Sequence, residues 1–153
     1  MLRRCFSAIR NPGSYYFRNI DDDWTAPHND ELWQNAVKTL FDPCPWGWRV
    51  PQNGEGANNP WSGFATVDVP WVDDGRRWSA PLVSGGQAWY AATGLRFYSG
   101  GFMSGVNSSA HYQSAAPVPA SNSARVFYFV TTDVIVNRSA HRTHGLSVRC
   151  VRE

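Results

Sequence analysis

At 153 residues the chain has the length of one domain, and a chain of that size buries roughly two thirds of its unfolded surface in a single core. With 42% hydrophobic and 17% charged residues and 8 Trp, 8 Phe and 6 Tyr, its composition excludes a disordered chain and supplies large side chains for core and contact surfaces. Lys38 is the only lysine among 14 basic residues, and the arginines are spread along the chain for a net charge of +2, so nucleic acid and anionic membranes are not expected partners.

The opening Met1-Leu-Arg-Arg-Cys-Phe-Ser-Ala-Ile-Arg10 lacks the apolar run of about 7–15 residues that a secretory signal needs. No stretch reaches transmembrane length, so membrane insertion is not expected. The chain is therefore expected at a cell surface or outside the cell, as part of a longer exported protein, or in a virion. Asp21-Asp-Asp23 could offer oxygens to a hard cation, but successive side chains diverge, and a solvated loop is the simpler expectation. Asn29-Asp-Glu-Leu-Trp-Gln-Asn-Ala-Val-Lys-Thr-Leu40 predicts a short helix, with Trp33, Ala36, Val37 and Leu40 at helical spacing behind an Asn or Asp cap.

Gly47-Trp-Arg-Val-Pro51 predicts a strand ending at proline, followed by a long Trp-, Gly- and Pro-rich stretch from about 52 to 101 without a sustained period. Arg125-Val-Phe-Tyr-Phe-Val130 and Gly145-Leu-Ser-Val-Arg-Cys-Val151 alternate as strands, with Leu146, Val148 and Cys150 on the inner face. If the runs holding Cys44 and Cys150 are neighbouring strands, a disulfide joins them; otherwise both are buried thiols, and Cys5 is left over in either case. The eight tryptophans all precede Tyr90, and most are expected to anchor loops to the core rather than to form a sugar platform.

Phe41-Asp-Pro-Cys-Pro-Trp-Gly-Trp-Arg-Val-Pro51 and the closing Gly145-Leu-Ser-Val-Arg-Cys-Val-Arg152 together resemble the Fibrobacter succinogenes major paralogous domain, a family abundant in Bacteroidetes surface proteins, including fimbrillin-like pilus tips. Ala92-Thr-Gly-Leu-Arg-Phe-Tyr-Ser-Gly-Gly101 looks like the family's Ala-Gly-Tyr-Arg segment, and Phe127-Tyr-Phe keeps the family's spacing to the C-terminus. Ile9-Arg-Asn-Pro-Gly and Asn29-Asp-Glu-Leu-Trp33 are similar to fimbrillin-like tips. The resemblance implies an α+β, C-type-lectin-like fold: one domain over residues 1–153, with paired terminal strands, one or two short helices and long binding loops.

The departures lie in the loops: Tyr112-Gln-Ser-Ala115 stands where the family has Tyr-Trp-Ser-Ser, and Val130-Thr-Thr-Asp-Val-Ile-Val-Asn137 and Ser139-Ala-His-Arg-Thr-His144 replace Asn- and Ser-rich loops. That pattern resembles the variable proteins of diversity-generating retroelements, in bacteria or phage, and implies a variable region of about 103–149. Mutating both adenines of an AAC codon yields no Lys, Glu, Gln, Met or Trp. None of these five occurs from Ser114 to Arg149, whereas residues 1–113 hold 17 of them. A Ser- and Val-rich β region offers a second explanation, and Gln113 cannot itself arise from AAC.

Formylglycine-generating enzymes share a related fold but use a close cysteine pair, which is missing here, and the chain shows no Gly-rich phosphate loop or Ser/His/Asp motif. No enzyme activity, cofactor or metal is therefore expected. His111, His141 and His144 lack a carboxylate or thiolate partner for zinc and are expected to be surface contacts. No Glu-Pro-Asn or Gln-Pro-Asp calcium–sugar motif is present. The expected activity is ligand binding, as a receptor-binding or adhesin domain for a cell-surface protein or glycan, through His111, Gln113, Val130, Asp133, Ile135, Asn137, His141 and His144 on one outward face. Arg125, Phe127, Phe129, Leu146, Val148 and Cys150 are expected beneath it as framework. The alternative is a pilus-tip adhesin or structural tip domain without diversification.

Overall fold

The computed structural model describes residues 28–34, 36–53, 59–64, 69–79 and 86–153. Cys5, residues 9–13, Trp24 and the Asp21, Asp22 and Asp23 run lie outside them. Every regular element among the described residues is a strand, which makes the fold mainly β. This corrects the α+β, C-type-lectin-like expectation, whose helices the described residues do not contain.

The described residues of the segment expected as a helix, 29–34 and 36–40, form turns, bends and irregular chain because carbonyls there are taken by side chains. Arg49 donates from its guanidinium to Gln34 O (2.9 Å) and Ala36 O (3.2 Å), and the Thr39 hydroxyl donates to Leu32 O. The Asn29 side chain accepts from Glu31 N at 2.8 Å, an Asx turn in place of a helix cap. Ala36, Val37 and Leu40, three of the four residues of the expected apolar stripe, stay exposed, and a short amphipathic helix without a surface to bury is marginal.

Asp42 organises the next loop. Its buried carboxylate accepts from Lys38 Nζ (3.0 Å), Cys44 N (2.8 Å) and Val50 N (2.9 Å). That loop delivers β1 (Trp48–Arg49), which pairs antiparallel with β9 (Val151–Arg152), Trp48 opposite Arg152. Cys44 and Cys150 form a disulfide beside this pair, with Cα atoms 5.8 Å apart, and Val50, Ala115, Trp33 and Val148 pack around it.

The long middle stretch contains β2 (Gly75–Ser79) and β3 (Gln87–Ala91), an antiparallel pair, then β4 (Leu95–Arg96). β4 pairs with β5 (Met103–Ser104). Gly94 enters this hairpin at φ +66°, and a Cβ there would sit 2.3 Å from Ser104 O, so the turn admits only glycine.

The largest sheet holds β6 (Ser109–Pro117), β7 (Ser123–Val130) and β8 (Val134–His141) in the order β6-β7-β8, all antiparallel. Its register puts Ala110 opposite Phe129, Tyr112 opposite Phe127 and Phe129 opposite Val134, so these side chains share one face. That face meets Trp61, Phe64, Trp78 and Tyr90 in the main core, where rings pack edge-on or stacked at centroid separations of 5.0–5.8 Å. Two buried polar pairs join this core, with Trp61 Nε1 donating to Tyr90 Oη (3.2 Å) and Tyr112 Oη donating to Ala91 O (3.0 Å), whereas Trp78 Nε1 is buried with no hydrogen-bond partner among the described residues.

Of the described tryptophans, Trp61 and Trp78 are buried in the main core, Trp71 and Trp33 are half-buried against the main core and the disulfide cluster, and Trp46, Trp48 and Trp89 are exposed. The closing run expected as one strand from Gly145 to Val151 makes only isolated bridges at Gly145 and Ser147 before β9.

Candidate recognition face

The β4–β5 hairpin carries an aromatic shelf. Phe97 N donates to Phe102 O (2.8 Å), Gly101 N to Phe97 O (3.0 Å), and the Arg96 guanidinium to Gly101 O (3.0 Å), which closes the 97–102 loop on itself. The loop stacks Phe97 on Phe102, centroids 5.1 Å apart and planes 17° apart, and leaves Phe102 and Met103 more than half exposed.

Reciprocal backbone bonds between Arg96 and Gly145 (2.8 and 2.9 Å) dock the C-terminal segment against this hairpin and bring His144 with it. Tyr98 N donates to His144 Nδ1 at 3.2 Å, which requires an unprotonated Nδ1 and leaves the neutral ring's proton on Nε2. The Tyr98 ring lies 5.0 Å from that of His141 and 5.2 Å from that of His144, and Phe97 lies 5.1 Å from His144.

A second group continues the band across the sheet. The register sets His111 on β6 opposite Tyr128 on β7, and Tyr128 opposite Ile135 on β8. A register shift between Val126 and Tyr128 then sets Arg138 opposite Val126, and its guanidinium lies over the Tyr128 ring at 4.0 Å. The His111 ring is 4.9 Å from Tyr128 and only 8% exposed. Burial, aided by the charges of Arg138 and His144, lowers its pKa from 6.5 to about 4, so it is neutral at pH 7. Its Nδ1 is buried with no hydrogen-bond partner among the described residues.

The expected site residues are thus divided. His111, Ile135, His141 and His144 join one band, through Tyr98 and Tyr128. His111 is its floor rather than an outward contact, a correction forced by its place in a strand covered on both faces. Gln113, 3% exposed, is also inside; it lines a small cleft with Asp30, Trp33, Ser114 and Arg142. Val130 and Asp133 lie at the hairpin turn closed by Val130 N donating to Asp133 O (2.9 Å), at the opposite end of β8 from His141. Val130 O there accepts from Arg76 Nε (3.2 Å) and Nη2 (2.9 Å), a buried guanidinium that also reaches Val69 O and Thr131 O. Asn137 is half-buried, and its carbonyl accepts from Arg125.

Phe127 and Phe129 are fully buried framework, Val148 and Cys150 pack by the disulfide, and Arg125 and Leu146 are half-buried. Phe97, Tyr98, Phe102, Tyr128 and Arg138 belong to the band without having been expected there. The aromatic spacing in 97–102 was a usable signal, whereas the Tyr128–Arg138 contact depends on a bulge that spacing does not reveal.

No group of three or more His, Cys, Asp or Glu side chains among the described residues is placed to hold a metal ion. Chemically, the band offers stacking faces, an imidazole donor on His144 and the exposed Arg96 and Arg138, a set suited to non-covalent contact. No protein-family model, curated protein sequence or solved structure matches the chain.

Proposed function

We propose that the domain is a non-covalent recognition module, a receptor-binding or adhesin domain displayed on a cell surface or a virion, and that it holds its ligand with the band running from Phe102 to Ile135. The observation that carries this reading is that Phe102, Met103 and Ile135 are exposed apolar side chains on a backed surface. Phe102 is stacked on Phe97, and Ile135 sits in strand register beside Tyr128. Exposed apolar side chains rimmed by polar groups mark interaction sites, and side chains ordered before binding lose little freedom on contact.

Diversification of the stretch about 103–149 fits the same picture at its exposed positions. The stretch also contains Val126, Phe127 and Phe129, which are fully buried and must be held constant if the fold is to survive. A near-copy of the final coding segment, differing at adenines and lying beside a reverse-transcriptase gene, is the expected genomic neighbour; without it, the domain is an undiversified adhesin.

Replacing Phe102 with Ala and Ile135 and His141 with Ser is expected to separate binding from stability. Each change is at the surface or half-buried, so melting should move by only a few degrees while the best partner on an array of cell-surface proteins and glycans is lost. Unchanged binding across the array would place recognition elsewhere, and outright unfolding would make these side chains structural.

A further inference from the structure

We infer that the ligand of this band is an acidic polysaccharide, with carboxylate or sulfate groups on its sugar rings; the inference rests on the recognition reading above and gives it a chemical class. The first support is charge. Residues 86–153 contain six arginines against two acidic residues, Asp133 and Glu153, whereas ten of the chain's twelve acidic residues precede residue 86. The near-neutral whole thus hides a cationic C-terminal half.

Within that half, several arginines serve the fold. Arg142 is buried against Asp30 and also donates to Ser123 O and Asn29 O, and Arg149 lies over Tyr90. Arg96 and Arg138 also hold protein contacts, Arg96 with Gly101 O and Arg138 over the Tyr128 ring, but both are exposed beside the band. Asp133 sits at the far turn, and Asp30 is held by Arg142 and by His28. Desolvation raises the Asp30 pKa, but the guanidinium outweighs it and keeps the carboxyl below its ordinary value, so its charge is already matched. The band therefore presents cationic forks suited to bidentate contact with carboxylate or sulfate.

The second support is shape. The cleft lined by Gln113 and Arg142 lies apart from the shelf, and Phe102 stands out as a ring face backed by Phe97. An exposed ring face does not need a socket for a buried anchor side chain. It suits a flexible polymer whose sugar rings lay their C–H faces on an aromatic ring and meet donors at the edges. Here those donors are the guanidiniums and the Tyr98 hydroxyl.

The test is direct binding of heparin and polygalacturonate to the intact domain in low and moderate salt, with dextran, poly-glutamate and single-stranded DNA as comparisons. Heparin or polygalacturonate should bind, weaken as salt rises, and be preferred at least tenfold over poly-glutamate and DNA, with no binding of dextran. R96Q with R138Q should weaken it at least tenfold, F102A at least fivefold, and the Lys versions of both arginines should recover part of the loss. R77Q, an exposed arginine on β2, should change nothing. Equal affinity for poly-glutamate or DNA, or no binding of either acidic polysaccharide at millimolar sugar, overturns the inference. So does an uncharged array partner lost in F102A, although recognition by the band then stands. Polysaccharide binding indifferent to Phe102, Arg96 and Arg138 overturns both.

Discussion

Replacing Cys44 and Cys150 with alanine is expected to lower the melting temperature by roughly 8–20 °C. The bond spans 106 residues, and closing a loop of that length removes enough unfolded-chain entropy to stabilise the fold by about 4–5 kcal/mol. For a chain of this size each kcal/mol shifts melting by about 2–4 °C. The effect should be large because, among the described residues, β1 and β9 are two residues each and the buried companions of the disulfide are Val50 and Ala115. Mild reduction of the wild type should reproduce the variant's melting temperature. A shift under about 2 °C would mean that the loop is already constrained without the bond.

The second large effect is acid-dependent and belongs to His111. In the unfolded chain it titrates near 6.5 and in the fold near 4. Above 6.5 both states are neutral and pH has no effect through this group. Between 6.5 and 4 the unfolded state takes up a proton that the folded state refuses, so stability falls as pH falls, by up to about 3 kcal/mol. Below 4 the loss levels off. Asp30 also loses a stabilising charge in acid, but only as pH falls below its ordinary 3.8, so the two windows separate. Urea unfolding of the wild type and His111→Gln at pH 7 and pH 4.5 should show the wild type losing 2–3 kcal/mol more than the variant. Parallel losses would mean that His111 is hydrated in the fold.

The strand β7 was legible because Val126, Phe127 and Phe129 are large and strand-prone, but its simple alternation was not kept, since the register shift between Val126 and Tyr128 buries the adjacent Val126 and Phe127 together. The cysteine runs were legible because each stands in a distinctive motif. β6 was hidden: Ser-Ala-His-Tyr-Gln-Ser-Ala-Ala-Pro has little β-branching, and its small residues serve a strand buried on both faces, which alternation cannot signal. β8 was masked differently, since Val134-Ile-Val136 has strand composition but was assigned to a variable loop on the strength of a resemblance.

The false helix at 29–40 shows periodicity losing to long-range contacts. The spacing of Trp33, Val37 and Leu40 is helical, but Arg49, from β1, captures the carbonyls of Gln34 and Ala36. Among the site residues, His141 and His144 lie together against Tyr98, a grouping that their spacing in the chain made legible. His111 was correctly included in the cluster but misplaced in depth, because its burial follows from the Tyr128 and Arg138 side chains that register sets around it.

Hydroxyl-radical footprinting of the domain with and without its strongest array partner separates the recognition band from the other exposed apolar surface, which includes Leu40, Phe41, Trp46 and Trp48. Recognition through the band predicts that the partner protects Tyr98, Phe102 and Met103 from oxidation while Phe41, Trp46 and Trp48 react as in the free domain. Protection of Trp46 and Trp48, with Phe102 and Met103 still fully reactive, would contradict it.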